Sequence, residues 1–525
     1  MRPIDQAISK ASPENPVSIP TMPSIPSVSP TINTAIPAQC CCHRLLGAGE
    51  WSLPLRRHAD DLIRLYFSRV HRMYPILHKP TFVKQYRQLW EPAGESPKPS
   101  PTNAQPPNQS SCSGLCKQKS LDKTFPAMVN AVFALASLFG SSTAKQNSAR
   151  AGSFFAMAQQ VDLLDIIDDE VGIELVQLLL LMGFYLQSTE RFSKCWNITG
   201  LAIRMAQNMG LQLNPHEARR KGLLTSCPTQ LESEMRVRVW YGCVLLDREI
   251  SMSFGRPLMI TSSGGERLRL PEAIDDEYLS VEPGGKRNLQ PGNCPSLLES
   301  YVQTINLYDI LGQVLDREEA KESPTSRTDS NLDTQSLLHL DTMIMEWRDS
   351  LPSHLQYEPS ESTSDDAERQ EAASERPGKR SPPPPADFLA QAKRLHARFL
   401  HVRVLILRPA LEHLFEKQRH VQPPTSNIMT NQMPRPRVAR VQDIMLSSIA
   451  AQCVLSANSL VRCLDKHIRS QSLVAWWYNV GCKIPRSTQT TQPGQVSDKH
   501  DKQTYTQSEA PSSWANFAPS MTRPC

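Results

Sequence analysis

The stretch Ile173-Glu-Leu-Val-Gln-Leu-Leu-Leu-Leu-Met-Gly-Phe-Tyr-Leu186 decides the fold. It is apolar on nearly every side and too long for one strand, so it predicts a helix buried all round at the centre of a domain. Its apolar run, Leu175 to Leu186, contains Gln177 and falls short of a membrane span. Ala127 to Phe139 has the same all-round apolar character and predicts a second central helix, with Ser153 to Leu164 amphipathic between them. Downstream, Trp196 to Leu211 sets Ile198, Leu201, Ala202, Met205, Ala206 and Met209 on a 3.6-residue stripe that ends near Gly210, where a left-handed cap is cheap. Glu232 to Ile250 continues the helical pattern. No period-two strands joined by hairpin turns are visible, so the fold class is all-α, an irregular helical bundle or short solenoid-like array with long disordered linkers.

Further out, His58 onward gives a helical face of Leu62, Leu65, Tyr66, Arg69 and Val70, which stops before Tyr74-Pro75 because proline disfavours helix at the preceding residue. Pro75 to Phe82 reads as a fixed aromatic-rich turn into a short helix through Trp90. Residues 91 to 120 form an inserted loop. Leu268 to Leu279 reads as a surface excursion, followed by helices from Pro295 to Arg317 and Leu337 to Leu351. The domain is expected to occupy 51–357, with its core about 58–317, and to resume over 388–480 in two long helices, Phe388 to Lys417 and Val438 to Ile468. Residues 1–50 are a Ser/Thr/Pro arm, 358–387 a charged and Pro-rich hinge, and 481–525 a polar tail, all expected to be disordered.

Among 525 residues, 43 prolines mark much of the chain as linker. The net charge of +5 is too balanced for a protein that coats nucleic acid. The first thirty residues lack a basic stretch followed by an apolar one, which reads as a soluble, non-secreted chain with no membrane partner. The sequence holds no phosphate-binding Gly-Lys-Ser/Thr loop, no Gly-x-Ser-x-Gly turn and no His-Glu-x-x-His. It is therefore read as no enzyme, with no catalytic residue and no metal site. His71 and His78 are expected to make structural hydrogen bonds. Asp247 or Arg248 is expected to pair with a neighbouring helix, and Arg256 to cap the preceding helix or bind its carboxylates.

Two segments carry a family resemblance: Tyr66-Phe-Ser-Arg-Val-His-Arg-Met-Tyr-Pro-Ile-Leu-His-Lys-Pro-Thr-Phe82 and Val239-Trp-Tyr-Gly-Cys-Val-Leu-Leu-Asp-Arg-Glu-Ile-Ser-Met-Ser-Phe-Gly-Arg-Pro257. In this order they resemble the regulatory domain of the fungal zinc-cluster transcription factors, also called the middle homology or xylanolytic-activator-type domain. Leu175 to Thr189, Cys195 to Gln207, Ile274 to Tyr278, Phe399 to Pro409 and Ala475 to Val480 extend the likeness over about residues 50 to 480. The signature positions, expected to be structural, are Tyr74, Pro75, His78, Pro80, Phe82, Trp240, Asp247, Arg248, Gly255, Arg256 and Pro257.

The resemblance implies a nuclear regulator of RNA polymerase II transcription that forms homo- or heterodimers with other transcription factors. The alternative is a non-DNA-binding helical scaffold or effector sensor acting through a partner. The family's zinc would need two Cys-x2-Cys pairs, each with a third cysteine close by, whereas here Cys40, Cys41 and Cys42 are adjacent and the next are Cys112 and Cys116. No zinc cofactor is therefore assigned to these residues. DNA contact is expected only indirectly or through a module outside them, and no residue is assigned to it. After Val480 the expected apolar helix gives way to a Ser/Thr/Gln/Pro tail, read as a retained intron or truncated gene. Losing four or five buried side chains at about 1.5–3 kcal/mol each predicts an unstable product.

Overall fold

The computed structural model describes residues 44–45, 52–90, 121–140, 142–161, 172–224, 227–261, 268–282, 287–292, 294–322, 333–358, 386–420 and 441–469. The insert over 91–120, everything after Arg469 (including Ala475 to Val480 and the polar tail), the arm over 1–50 apart from Arg44–Leu45, and the hinge over 358–387 apart from Glu358, Ala386 and Asp387 lie outside the described residues; Arg44–Leu45 of the arm is a short strand rather than disordered. Twelve α-helices are described. They are α1 (Arg56–Arg69), α2 (Lys79–Gln88), α3 (Leu121–Ser137), α4 (Ala144–Ala158), α5 (Ile173–Ser188) and α6 (Phe192–Asn208). There follow α7 (Pro215–Arg220), α8 (Gln230–Phe254), α9 (Glu299–Glu322), α10 (Thr334–Asp349), α11 (Ala386–His420) and α12 (Val441–Arg469). Among the described residues the one sheet is a two-residue antiparallel pair, Arg44–Leu45 with Ser52–Leu53.

The helices stack in series: α3 on α1, α4 and α5, then α5 on α6 and α8, α8 on α9, α9 on α10 and α11, and α11 on α12. Composition explains the order. Leu178, Leu179, Leu180 and Leu181 are all fully buried in α5, so this helix needs neighbours on every side. Even its two glutamines are inside, each with an acceptor: Gln177 Nε2 donates to the Ile76 carbonyl at 2.6 Å and Gln187 Nε2 to Glu249 Oε2 at 3.2 Å. Stacked ring pairs fix neighbouring elements, Tyr74 on Phe184 at 4.2 Å and Phe155 on Tyr185 at 4.1 Å.

Two sequence expectations change. Helix α4 starts nine residues before Ser153, because Thr143 and Gln146 form a capping box that satisfies the first turn's donors. Leu268 to Leu279 is no surface excursion. Leu268, Ile274, Asp276 and Leu279 are buried, and Arg238 draws the segment down onto α8.

The last two described helices, α11 and α12, form an antiparallel hairpin tied at one end by Lys417 Nζ to Asp443 at 3.1 Å and midway by Cys453 Sγ against the Val404 carbonyl at 3.7 Å. The window Val441–Leu464 of α12 is long and apolar enough to cross a membrane. In the fold it lays Leu446, Ile449, Ala450, Cys453, Leu460 and Leu464 against the core.

Candidate functional site

Helix α8 is the axis of the site. It opens on a capping box, with Glu232 N donating to Thr229 Oγ1 at 3.1 Å and Thr229 N to Glu232 Oε2 at 2.7 Å. It ends at Gly255, whose φ of +61° is the left-handed conformation glycine adopts without strain. Glu234, Arg238, Asp247, Arg248 and Glu249 are all buried along it. A buried charge is tolerated only when paired and hydrogen-bonded, so each of them specifies a neighbour.

At the N-terminal half, Arg238 is fully buried, with Nη1 2.6 Å from Asp276 Oδ1 and Nη2 donating to the Ile274 carbonyl at 2.9 Å. Asp276 Oδ2 in turn accepts from the Lys79 backbone N–H at 2.8 Å, so a carboxylate 197 residues downstream caps the first turn of α2. Burial alone would raise the Asp276 carboxyl, but Arg238, with His71 and His78, outweighs it and holds the group well below the usual carboxylate range. His78 Nε2 faces the Asp276 carbonyl oxygen at 3.1 Å and is therefore its protonated nitrogen, leaving Nδ1 to accept from the Thr81 hydroxyl at 2.7 Å. Burial lowers the His78 pKa, partly opposed by Asp276. His71 Nε2 lies 3.5 Å from Asp276 Oδ2.

At the C-terminal half, Glu249 accepts from the Tyr74 hydroxyl at 2.8 Å, Tyr308 at 3.2 Å and Gln187 at 3.2 Å, and pairs with Arg398 Nη2 at 3.3 Å. Arg398 also donates to Thr304 Oγ1 at 2.9 Å, and its guanidinium lies 5.3 Å from the Tyr308 ring centre. Burial pushes the Glu249 carboxyl up, against the pull of Arg398 and the hydroxyls. One carboxylate thus joins α5, α8, α9, α11 and the Tyr74 turn.

The other signature positions fall around these two clusters. Pro75 is buried in the turn that follows Tyr74, and Pro80 occupies the first turn of α2, where its missing N–H costs nothing. Phe82 packs between Phe67, edge-on at 5.6 Å, and Phe125, tilted at 5.4 Å, and Trp240 is in the core. Asp247 holds the exit of Gly255-Arg-Pro257 by accepting from Met259 N at 3.1 Å and Ile260 N at 2.9 Å, while burial lifts its pKa to about 6. Arg248 reaches Asp309 of α9 at 3.8 Å, as an ion pair to a neighbouring helix requires. Arg256 departs from expectation: it is exposed and lies 5.6 Å over the Trp196 ring of α6, so it docks on an aromatic face rather than on carbonyls or carboxylates of α8.

Sequence reading passed over Glu234, Arg238, Asp276 and Arg398, and in the triplet Asp247-Arg248-Glu249 it gave the ion pair to Asp247 or Arg248 and not also to Glu249. The available signal was a charge inside an apolar run, as in Val237-Arg-Val239 and Ala397-Arg-Phe399. Among the described residues no group of three or more His, Cys, Asp or Glu is placed to hold a metal ion. Cys195, Cys243 and Cys453 are buried singly, with burial raising each thiol pKa, so they behave as small apolar groups and do not fit zinc.

Residues 63–349 match the profile of a family described as the fungal specific transcription factor domain. Over 450 residues the chain is 24% identical to "Sorbicillinoid biosynthetic cluster transcription factor 2" of Penicillium rubens, covering 85% of this chain and 55% of that protein. It is 26% identical to "Cutinase transcription factor 1 alpha" of Fusarium vanettenii (59% of this chain, 29% of that one). It is 24% identical to "Activator of stress genes 1" of Saccharomyces cerevisiae (69% and 32%). The chain thus spans between about a third and about half of the length of these relatives. No solved structure matches it.

Proposed function

The chain belongs to the fungal specific transcription factor domain family, and from that membership we propose that it is a nuclear regulator of RNA polymerase II transcription working through a non-catalytic helical domain. The observation that carries this reading is the family match over 63–349, which contains both polar clusters of α8 apart from Arg398. The buried ion pairs join segments far apart in sequence into one body, which suits a domain that passes a signal between partners. The cysteines of this sequence do not form the six-cysteine zinc pattern, so contact with DNA comes through another module or a dimer partner that carries one.

The test is a fluorescent fusion of the native product combined with genome-wide RNA measurement after deletion of its gene. Nuclear signal and a coherent set of changed transcripts are expected. A protein confined to the cytoplasm, whose loss leaves the transcripts as they were, would contradict the proposal.

A further inference from the structure

An open cavity of about 630 Å³ lies between α1, α2 and the turn at Asp275–Glu277. That volume is within the range of about 300–1,000 Å³ that takes a small organic ligand. Ile63, Phe67 and Val83 give it an apolar wall. Its charged lining is nearly balanced by count, with Arg56, Arg64, Arg72, Lys79 and Arg87 against Asp60, Asp275, Asp276 and Glu277.

The two signs differ in how far they are already satisfied. Asp275 Oδ1 accepts from Ser296 Oγ at 2.8 Å and Leu297 N at 2.9 Å, and its Oδ2 from Gln290 Nε2 at 3.1 Å. Asp276 is taken up by Arg238 and the start of α2, and Asp60 accepts the Tyr86 hydroxyl at 2.7 Å. The lone pairs of Asp275 and Asp276 are thus taken up within the protein, while Asp60 and Glu277 are exposed, Glu277 lying 3.9 Å from Lys79 Nζ. Arg87 is exposed, and no carboxylate among the described residues pairs with it, while Arg64 holds only a surface partner, Asp61. Exposed pairs of that kind are worth about 0–1 kcal/mol and yield readily to a better anion. The wall also contains His71, buried, whose Nδ1 has no hydrogen-bond partner among the described residues.

We propose that this cavity binds an amphipathic organic acid, its carboxylate at Arg64 and Arg87 and its apolar body against Ile63, Phe67 and Val83. The same cavity includes Arg72, which pairs with Asp387 in the first turn of α11, so occupancy reaches the C-terminal hairpin through that contact. Use of the site as an effector switch rests on the regulatory reading above; binding itself does not.

The test is isothermal titration calorimetry on the full chain with 3-phenylpropionate and octanoate, each beside its uncharged amide. At least one acid is expected to saturate a single site, with binding weaker by about tenfold or more for the amide and for the Arg64→Gln/Arg87→Gln variant, a difference calorimetry resolves. Both arginines are exposed, so the variant is expected to melt with the wild type; the acid-to-amide comparison needs no variant at all. The site is overturned if neither acid saturates below about 10 mM, a very weak affinity. It is equally overturned if acid and amide bind alike, or if the double variant binds as the wild type does. Binding by a chain that regulates no transcript overturns the regulatory reading and leaves the site standing.

Discussion

Arg398 Nη2 stands 3.3 Å from Glu249 Oε1, an ion pair 149 residues apart in sequence in which the carboxylate is fully buried and the guanidinium nearly so. It joins α11 to α8 at the point where Tyr74 and Tyr308 also converge. Removing one partner of a buried pair leaves an uncompensated charge, which costs about 3–5 kcal/mol. Arg398→Ala is therefore expected to lower the free energy of unfolding by that amount, and the denaturation midpoint with it. The double change Arg398→Met with Glu249→Gln is expected to recover a large part of it. Equal stability of Arg398→Ala and wild type in a urea titration would remove this pair from the forces holding the hairpin.

Asp276 serves Arg238 and the first turn of α2 at once. Asp276→Ala takes the shorter ion pair from the fully buried Arg238 and leaves it Glu234 at 3.5 Å, so destabilisation toward the lower end of about 3–5 kcal/mol is expected. Asp276→Asn keeps acceptors for Lys79 and should cost less. Urea denaturation of the two variants side by side measures the difference, and a variant order of Asn below Ala would contradict the assignment.

Acid sensitivity is expected in α11. Burial, then the charge of Arg408, lowers the His401 pKa from 6.5 to about 4, and burial with Arg348 does the same for His396. The fold favours both neutral imidazoles, so their contribution is intact above 6.5 and is lost as pH falls from 6.5 toward 4. The slope per group reaches about 1.4 kcal/mol per pH unit. Asp247 opposes them between its ordinary value of 3.8 and about 6, because burial makes its protonated form the better one in the fold. Melting temperatures of wild type and His401→Gln across this window should show a shallower fall in the variant. Parallel curves would exclude His401 as a source of the slope.

The helices were legible because their signal is local. The all-round apolar run of α5 and the stripe of α6 ending at Gly210 follow from periodicity within a few turns, and both helices form. The start of α4 was written in Thr143 and Gln146 but lay outside the amphipathic window. The polar clusters were not legible. Tyr74 meets Glu249 across 175 residues and Lys79 meets Asp276 across 197, and no spacing rule reaches that far. Arg256 failed for a related reason: the choice between a helix end and the Trp196 ring is made by the packing of α6 against α8, which the turn itself does not encode.

Gly242 of α8 faces the turn after Tyr74. A Cβ there would come within 2.8 Å of Ile76 Cγ2 and 3.1 Å of Leu180 Cδ1, and the stiff Ile76 branch cannot swing aside. Gly242→Val is expected to destabilise by about 1–3 kcal/mol through overpacking. A denaturation midpoint at or above that of the wild type would show that the turn can shift.

The most direct measurement is reporter transcription in a fungal host with the whole chain tethered to the promoter through a foreign DNA-binding domain. If these helices form a transcription-regulating body, output should differ from that of the tether alone. It should return to the tether's level when Arg398→Ala uncouples α11 from α8 at matched protein abundance. Output indistinguishable from the tether alone, with the chain nuclear and intact, would contradict a regulatory role for this domain.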